Sequence, residues 1–243
     1  MENRNLPDPM ARGGVRRYLD TVHPEEYNPN TGEVDLSELS LTGLADLYGS
    51  DKGKLKHNYS VVYEKIISEL LGNCYRKDAC LNIVEYGIAC GASLRMWANF
   101  LPNSSVYGVD VREECKLLCA DLNNVHISIC DITDKQSVDQ LQIFKEQFDI
   151  IVDDASHISE DIAAAFNNTW RYLKSGGYYI IEDLKCTYNP AYLKNFRKNF
   201  NPNAINDRKV ILSFMDFLMK STDLRKNIRE FHYYHELLVI KKI

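Results

Sequence analysis

The sequence predicts an α/β protein built on a doubly wound, mostly parallel seven-stranded sheet whose C-terminal strand runs antiparallel. Three observations carry this. Beyond residue 80, apolar runs of strand length alternate with amphipathic stretches of helical length, the pattern of βαβ units. Each of the first five runs ends at or next to an acidic residue or a glycine. The chain then closes on two strand-like runs separated by too few residues for a crossover helix, which forces that pair antiparallel.

The elements follow in order. Residues 1–40 hold Pro7, Pro9, Pro24 and Pro29 with Gly13, Gly14, Asn28, Asn30 and Gly32, a composition that breaks regular structure and reads as an arm or lid. Leu41–Tyr48 reads as a short helix stopped by Gly49. Ser60–Leu71 reads as a second, with Tyr59, Val62, Tyr63, Ile66 and Leu70 on one face. Strands are expected over 81–86, 105–109, 125–130, 148–152 and 178–181, with helical stretches between them. In the clearest of these, Ile162, Ala165, Phe166, Thr169 and Leu173 share a face. A polar stretch follows the fifth strand, then a helix with Ile211, Phe214, Met215 and Leu218 on one side, then strands over 228–233 and 237–243. The chain thus divides into an N-terminal arm and helical lid, 1–75, and a sheet domain, 76–243. Tyr233 and Tyr234 are expected to pack on the sheet or on another subunit, which leaves room for a homo-oligomer.

Bulk properties bound the function. A chain of 243 residues supports one sizeable core. Its net charge of −5, with basic residues scattered instead of gathered in a stripe, argues against nucleic acid as a partner. Arg12, Arg16 and Arg17 precede no apolar run of signal length, and no stretch reaches the roughly 18 apolar residues of a membrane span. Seven cysteines without a Cys-x-x-Cys pair read as reduced thiols, so a soluble, cytoplasmic protein is expected.

In an open parallel sheet, ligands sit beyond the carboxyl ends of the strands. After the first strand, Gly87 and Gly91 bracket Ile88, Ala89 and Cys90, and the small residues at 87, 89 and 91 let a ligand approach the backbone; Ser93 opens the next helix. Asp110, ending the second strand, can accept hydrogen bonds from both ribose hydroxyls of an adenosine-type ligand. Asp131 and Ile132, after the third, can bracket an adenine, although Asp131 serves equally as a helix cap. These features admit either a nicotinamide dinucleotide or S-adenosylmethionine. A pyrophosphate wants three glycines and an uncluttered helix start, whereas Glu85 and Asp153 near the turn suit the sulfonium and ammonium of S-adenosylmethionine better.

Asp153, Asp154 and His157 follow the fourth strand and Glu182 and Asp183 the fifth. Carboxylates gathered there raise one another's pKa unless a cation neutralises them, which makes a divalent metal the natural occupant, and oxygen ligation favours Mg²⁺ over zinc.

Together the Glu-x-Gly-x-x-x-Gly turn from Glu85, Asp110, the run 148–154, Leu173-Lys174-Ser175-Gly176-Gly177 and the final hairpin resemble the class I S-adenosylmethionine-dependent methyltransferases over residues 80–243. Within that superfamily the sequence is most similar to the macrolide-sugar O-methyltransferases of the mycinamicin and tylosin type, through the run 49–53, His57 and Tyr59, Tyr63, the runs 91–97 and 153–157, and 181–184. The resemblance implies a Rossmann-like methyltransferase fold in 76–243, a magnesium ion on Asp154, Glu182 and Asp183, and His157 as the base that takes a sugar hydroxyl's proton during methyl transfer. Ala155 stands where relatives commonly have glycine, and the N-terminal region is much shorter than theirs. Lys52, His57, Tyr59 and Tyr63 lie before the sheet as lid or acceptor contacts; Tyr59 and Tyr63 serve equally well as packing residues. Cys186 and Tyr188, just past the acids, are candidate acceptor contacts. The expected activity is O-methylation of a sugar or other polyhydroxylated small molecule in natural-product or surface-glycan biosynthesis. Alternatives are metal-free N-methylation of a small molecule, a nicotinamide-dependent oxidoreductase, and a silent module retaining the donor pocket.

Overall fold

A computed structural model describes residues 35–189, 207–221 and 227–243. Residues 1–34 of the expected arm and most of the polar stretch after the fifth strand lie outside the described residues. The described residues form two compact units, one from those up to Cys80 with Ala89–Val106 and Leu117–Val125, the other from Leu81–Ile88, Tyr107–Lys116 and those from His126 onward.

The first unit is helical. Helix α1, Leu41–Tyr48, starts at Ser40, whose hydroxyl accepts the Gly43 N–H, and ends at Gly49 in the left-handed region (φ 72°). Helix α2, Ser60–Leu71, caps it from outside, since the Glu64 carboxylate accepts the Leu41 N–H at 2.6 Å. Helix α3, Ala92–Phe100, packs its Trp97 ring on Tyr63 of α2 at 5.0 Å.

The second unit carries the sheet. Its strands are β1 Asn82–Tyr86, β2 Ser105–Asp110, β3 Val125–Ile129, β4 Phe148–Asp153, β5 Leu173–Ile181, β6 Ile228–Tyr234 and β7 Leu237–Lys242, in the order β3-β2-β1-β4-β5-β7-β6. β1, β4 and β5 run parallel, while β7 enters antiparallel between β5 and β6. The strand order reverses between β1 and β4, the switch point at which such sheets bind ligands. Helices α4 (Lys135–Gln140), α5 (Ser159–Thr169) and α6 (Arg208–Lys220) accompany these strands. The core centres on Phe166 of α5, whose ring meets Trp170, Tyr179 and Phe214 at 4.9, 5.0 and 5.2 Å.

Two expectations change. Strand β5 begins at Leu173, five residues before the expected 178, because Gly176 (φ 81°) and Gly177 form an irregularity within the strand where its register on β4 shifts. The Leu173 side chain, expected on the helix face, belongs to this strand. Between β2 and β3 the described structure holds a 3-10 turn, Glu113–Leu117, in place of an amphipathic α-helix.

Candidate active site

In the first unit, Gly91 caps α3 in the left-handed region (φ 82°), where a Cβ would lie 3.0 Å from the Cys119 sulfur, and Ala89 is also left-handed (φ 45°). Ser93 is buried in the first turn of α3. The motif loop after α1 folds around Asp46, whose carboxylate accepts the Leu55 N–H; a Cβ on Gly53 would meet Asp46 Oδ1 at 2.1 Å. Lys52 is buried in this loop, and its carbonyl accepts the Ser60 N–H. His57 stacks on Tyr59 at 5.0 Å. Tyr59 and Tyr63 are 2 % and 0 % exposed, which places both as packing residues of this unit.

In the second unit, the turn after β1 is pinned on both sides. Gly87 donates its N–H to the Val109 carbonyl, and Ile88 donates to Asp110 Oδ2 at 3.0 Å. Gly87 is left-handed (φ 79°), and a Cβ there would lie 2.3 Å from the Asp154 carbonyl oxygen, so glycine allows the β1 turn to lie against the β4 turn. Glu85 is fully buried in β1, opposite Val152.

Asp110 is buried. Besides Ile88, Arg112 donates to it three times, through its backbone N–H and Nε to Oδ1 at 3.0 Å each and through Nη2 to Oδ2 at 3.1 Å. Burial alone would raise this carboxyl's pKa, but the Arg112 and Ile88 hydrogen bonds outweigh it and hold the pKa below the usual value. Asp131 accepts the Thr133 N–H and hydroxyl at 2.9 and 2.7 Å, while Asp134 caps α4. Ile132 is buried beside it, and the Asn168 amide of α5 donates to the Ile132 and Thr133 carbonyls at 3.0 Å each, fixing this turn.

The acids follow on the neighbouring strand ends. Asp153, 3 % exposed, accepts the Ala155 N–H through Oδ1, while its Oδ2 has no hydrogen-bond partner. Burial pushes its pKa up to about 7. The hydroxyls of Tyr86 and Tyr179 are likewise buried, on the same sheet face by register, and both face Thr169. The turn beyond is held by the Ser156 hydroxyl donating to Asp161 of α5 at 2.7 Å and accepting the Ile158 N–H. It presents His157 in the left-handed region (φ 55°). His157 Nε2 lies 3.7 Å from Asp154 Oδ1 and 3.9 Å from Asp183 Oδ2. Asp183 is itself left-handed (φ 52°), and Glu182, buried, donates its N–H to the Asp153 carbonyl. An imidazole thus sits between carboxylates from two strand ends. The Cys186 thiol is pushed up to about 12 by burial and then by Asp183, so it stays protonated and unreactive.

Three residues here were not singled out in the sequence: Arg112, Lys185 and Glu236. Lys185, two residues past Asp183, pairs with Glu236 at 2.5 Å, and Glu236 occupies the β6–β7 turn with φ 71°. The signal for Glu236 was topological, because a strand antiparallel to β5 must begin at the edge where β5 ends.

Residues 84–184 match the model of the methyltransferase domain. The chain is 34 % identical over 159 residues to the 8-demethyl-8-alpha-L-rhamnosyl tetracenomycin-C 2'-O-methyltransferase of Streptomyces olivaceus, covering 63 % of this chain and 39 % of that one. It is 28 % identical over 165 residues to the mycinamicin VI 2''-O-methyltransferase of Micromonospora griseorubida, covering 65 % and 38 %. The chain therefore spans well under half the length of these curated relatives. The MycE methyltransferase of the mycinamycin biosynthetic pathway, solved in complex with Mg, SAH and mycinamycin VI, shares the fold at a TM-score of 0.66 and 22 % identity, over 84 % of this chain and 54 % of that one.

Proposed function

We propose that this chain, which carries a methyltransferase domain over residues 84–184, transfers a methyl group from S-adenosylmethionine to a hydroxyl of a sugar-bearing small molecule. The observation that carries the reading is His157 Nε2 placed within 4 Å of both the Asp154 and Asp183 carboxylates at the carboxyl edge of β4 and β5. The curated relatives, sugar O-methyltransferases by name, support the acceptor class.

Asp110 is the residue suited to receive the ribose hydroxyls of the donor, and Ile132 the one to back its adenine. Asp154, Glu182 and Asp183 offer only oxygen ligands on adjacent strand ends, a donor set whose chemistry suits Mg²⁺, although no choice of one oxygen from each brings all three within 4.8 Å of one another. Bound there, the ion would acidify an acceptor hydroxyl that is otherwise far too weak an acid to react at neutral pH. His157 accepts that proton at Nε2 while the acceptor oxygen bonds to the methyl carbon and the carbon–sulfur bond breaks. Asp154 and Asp183 stabilise the imidazolium so formed, by charges already in place before the reaction.

Among the described residues no helix is long and apolar enough to cross a membrane. The seven cysteines, all thiols outside disulfides, support a cytoplasmic placement, and the net charge of −5 supports a small-molecule acceptor over nucleic acid.

The test uses purified full-length chain, radiolabelled donor and a panel of free and glycosidic sugars. A methyl ether product that disappears with a chelator, with His157→Ala and with Asp154→Ala supports the reading. A methylamine product, or methylation indifferent to all three, overturns the assignment of metal and base.

A further inference from the structure

We propose that Glu236, on the β6–β7 turn, sets the cation affinity of the acid cluster, and that its ion pair with Lys185 holds that affinity down. The inference rests on the cation reading of Asp154, Glu182 and Asp183 given above and extends it to residues that reading does not use.

Two contacts tie the hairpin to the strand end that carries Asp183. The Leu184 N–H donates to the Glu236 carbonyl at 3.0 Å, and Lys185 Nζ meets Glu236 Oε2 at 2.5 Å. The hairpin turn is thereby fastened to the turn directly after Asp183. A carboxylate oxygen of Glu236 lies within 4.8 Å of one of Asp183. Both side chains of the Lys185–Glu236 pair are mostly shielded from solvent, 18 % and 13 % exposed, so their charges are weakly screened. A negative charge this close to a cation ligand raises the attraction for a divalent ion, and a lysine held against it offsets much of that attraction. Residues beyond the direct ligands typically tune metal affinity by about 10- to 100-fold. Glu236 thus acts on the cation beside Asp183, with its own carboxylate oxygen within the same reach.

The two halves of the pair therefore predict opposite effects, which a purely mechanical clamp does not. Mn²⁺ alone, titrated into the full chain with free Mn²⁺ followed by electron paramagnetic resonance, serves as the probe and needs no turnover. Glu236→Gln is expected to weaken Mn²⁺ binding about tenfold. Lys185→Met is expected to tighten it about threefold or more, and Lys185→Arg to leave it unchanged. If Lys185→Met weakens binding, or Glu236→Gln leaves it unchanged, the proposal falls while the cation site stands. If the wild-type chain binds no Mn²⁺, or Asp154→Asn binds as well as wild type, the cation reading falls and the proposal with it. Thermal melts accompany each variant. Should Glu236→Gln fail to fold, the sign of the Lys185→Met shift against Lys185→Arg decides alone.

Discussion

Asp110 receives four hydrogen bonds, one from Ile88 and three from Arg112, and a carboxylate has about four lone-pair directions to offer. A ribose diol can be received only where the Arg112 side chain, 43 % exposed, gives up its hold. Arg112→Met is therefore expected to tighten S-adenosylhomocysteine binding by calorimetry, and Asp110→Asn to weaken it by about tenfold or more. The same carboxyl makes a pH prediction. Its folded-state pKa lies below its ordinary value of 3.8, so its contribution to stability is present above that pH and is lost as pH falls through the folded pKa. In denaturant titrations, the stability advantage of wild type over Asp110→Asn should be constant near neutrality and shrink below about pH 4. Asp110 was legible in the sequence because a strand end announces it. Arg112 was not, since a charge on a loop has no periodicity and its partner is chosen by tertiary contact, and Glu236 is announced only by the topology of the final hairpin.

At the scale of elements, the β1 turn depends on one missing side chain. Gly87→Ala would place a methyl group 2.3 Å from the Asp154 carbonyl in a backbone conformation hostile to any Cβ. A loss of about 2 kcal/mol or more is expected by denaturant unfolding, with activity lost because the Asp154 turn must move. Asn168→Ala removes both donors that fix the turn at Ile132 and should cost about 1–3 kcal/mol, with weaker S-adenosylhomocysteine binding in the same preparation. The strands were readable from their apolar runs, and β7 from the short connection before it. The start of β5 was not, because Lys174-Ser175-Gly176-Gly177 spells a turn while the sheet absorbs it as an irregularity beside Phe148 and Ile150. Tyr59 and Tyr63 show the complementary ambiguity. Helical spacing put them on one face, but only the ring of Trp97, far along the chain, decides that Tyr63 packs inward.

For the whole molecule, the mostly parallel seven-stranded sheet and its antiparallel hairpin follow from connection lengths and were anticipated; the order of the strands and the division into these compact units were not. Helix α3 packs on α1 and sets Trp97 against Tyr63 of α2, and so joins the first unit although in sequence it follows β1. An ion that binds only the native state stabilises the chain by about 2.7 kcal/mol at a hundredfold excess over its Kd. Mg²⁺ is accordingly expected to raise the melting temperature, a chelator to reverse the gain, and Asp154→Ala to abolish it.

His157, Asp183 and Glu236 share a backbone conformation that costs a side-chain-bearing residue about 1 kcal/mol or more and glycine almost nothing. Glycine would be the more comfortable resident at all three places, and each position instead keeps an ionisable group. Drift toward a sturdier protein therefore runs directly through the loss of the groups that the proposed reaction uses. Asp183→Gly should melt above Asp183→Ala while both are inactive, and a laboratory selection for heat resistance alone, with activity unmonitored, should find these turns among the first to be simplified.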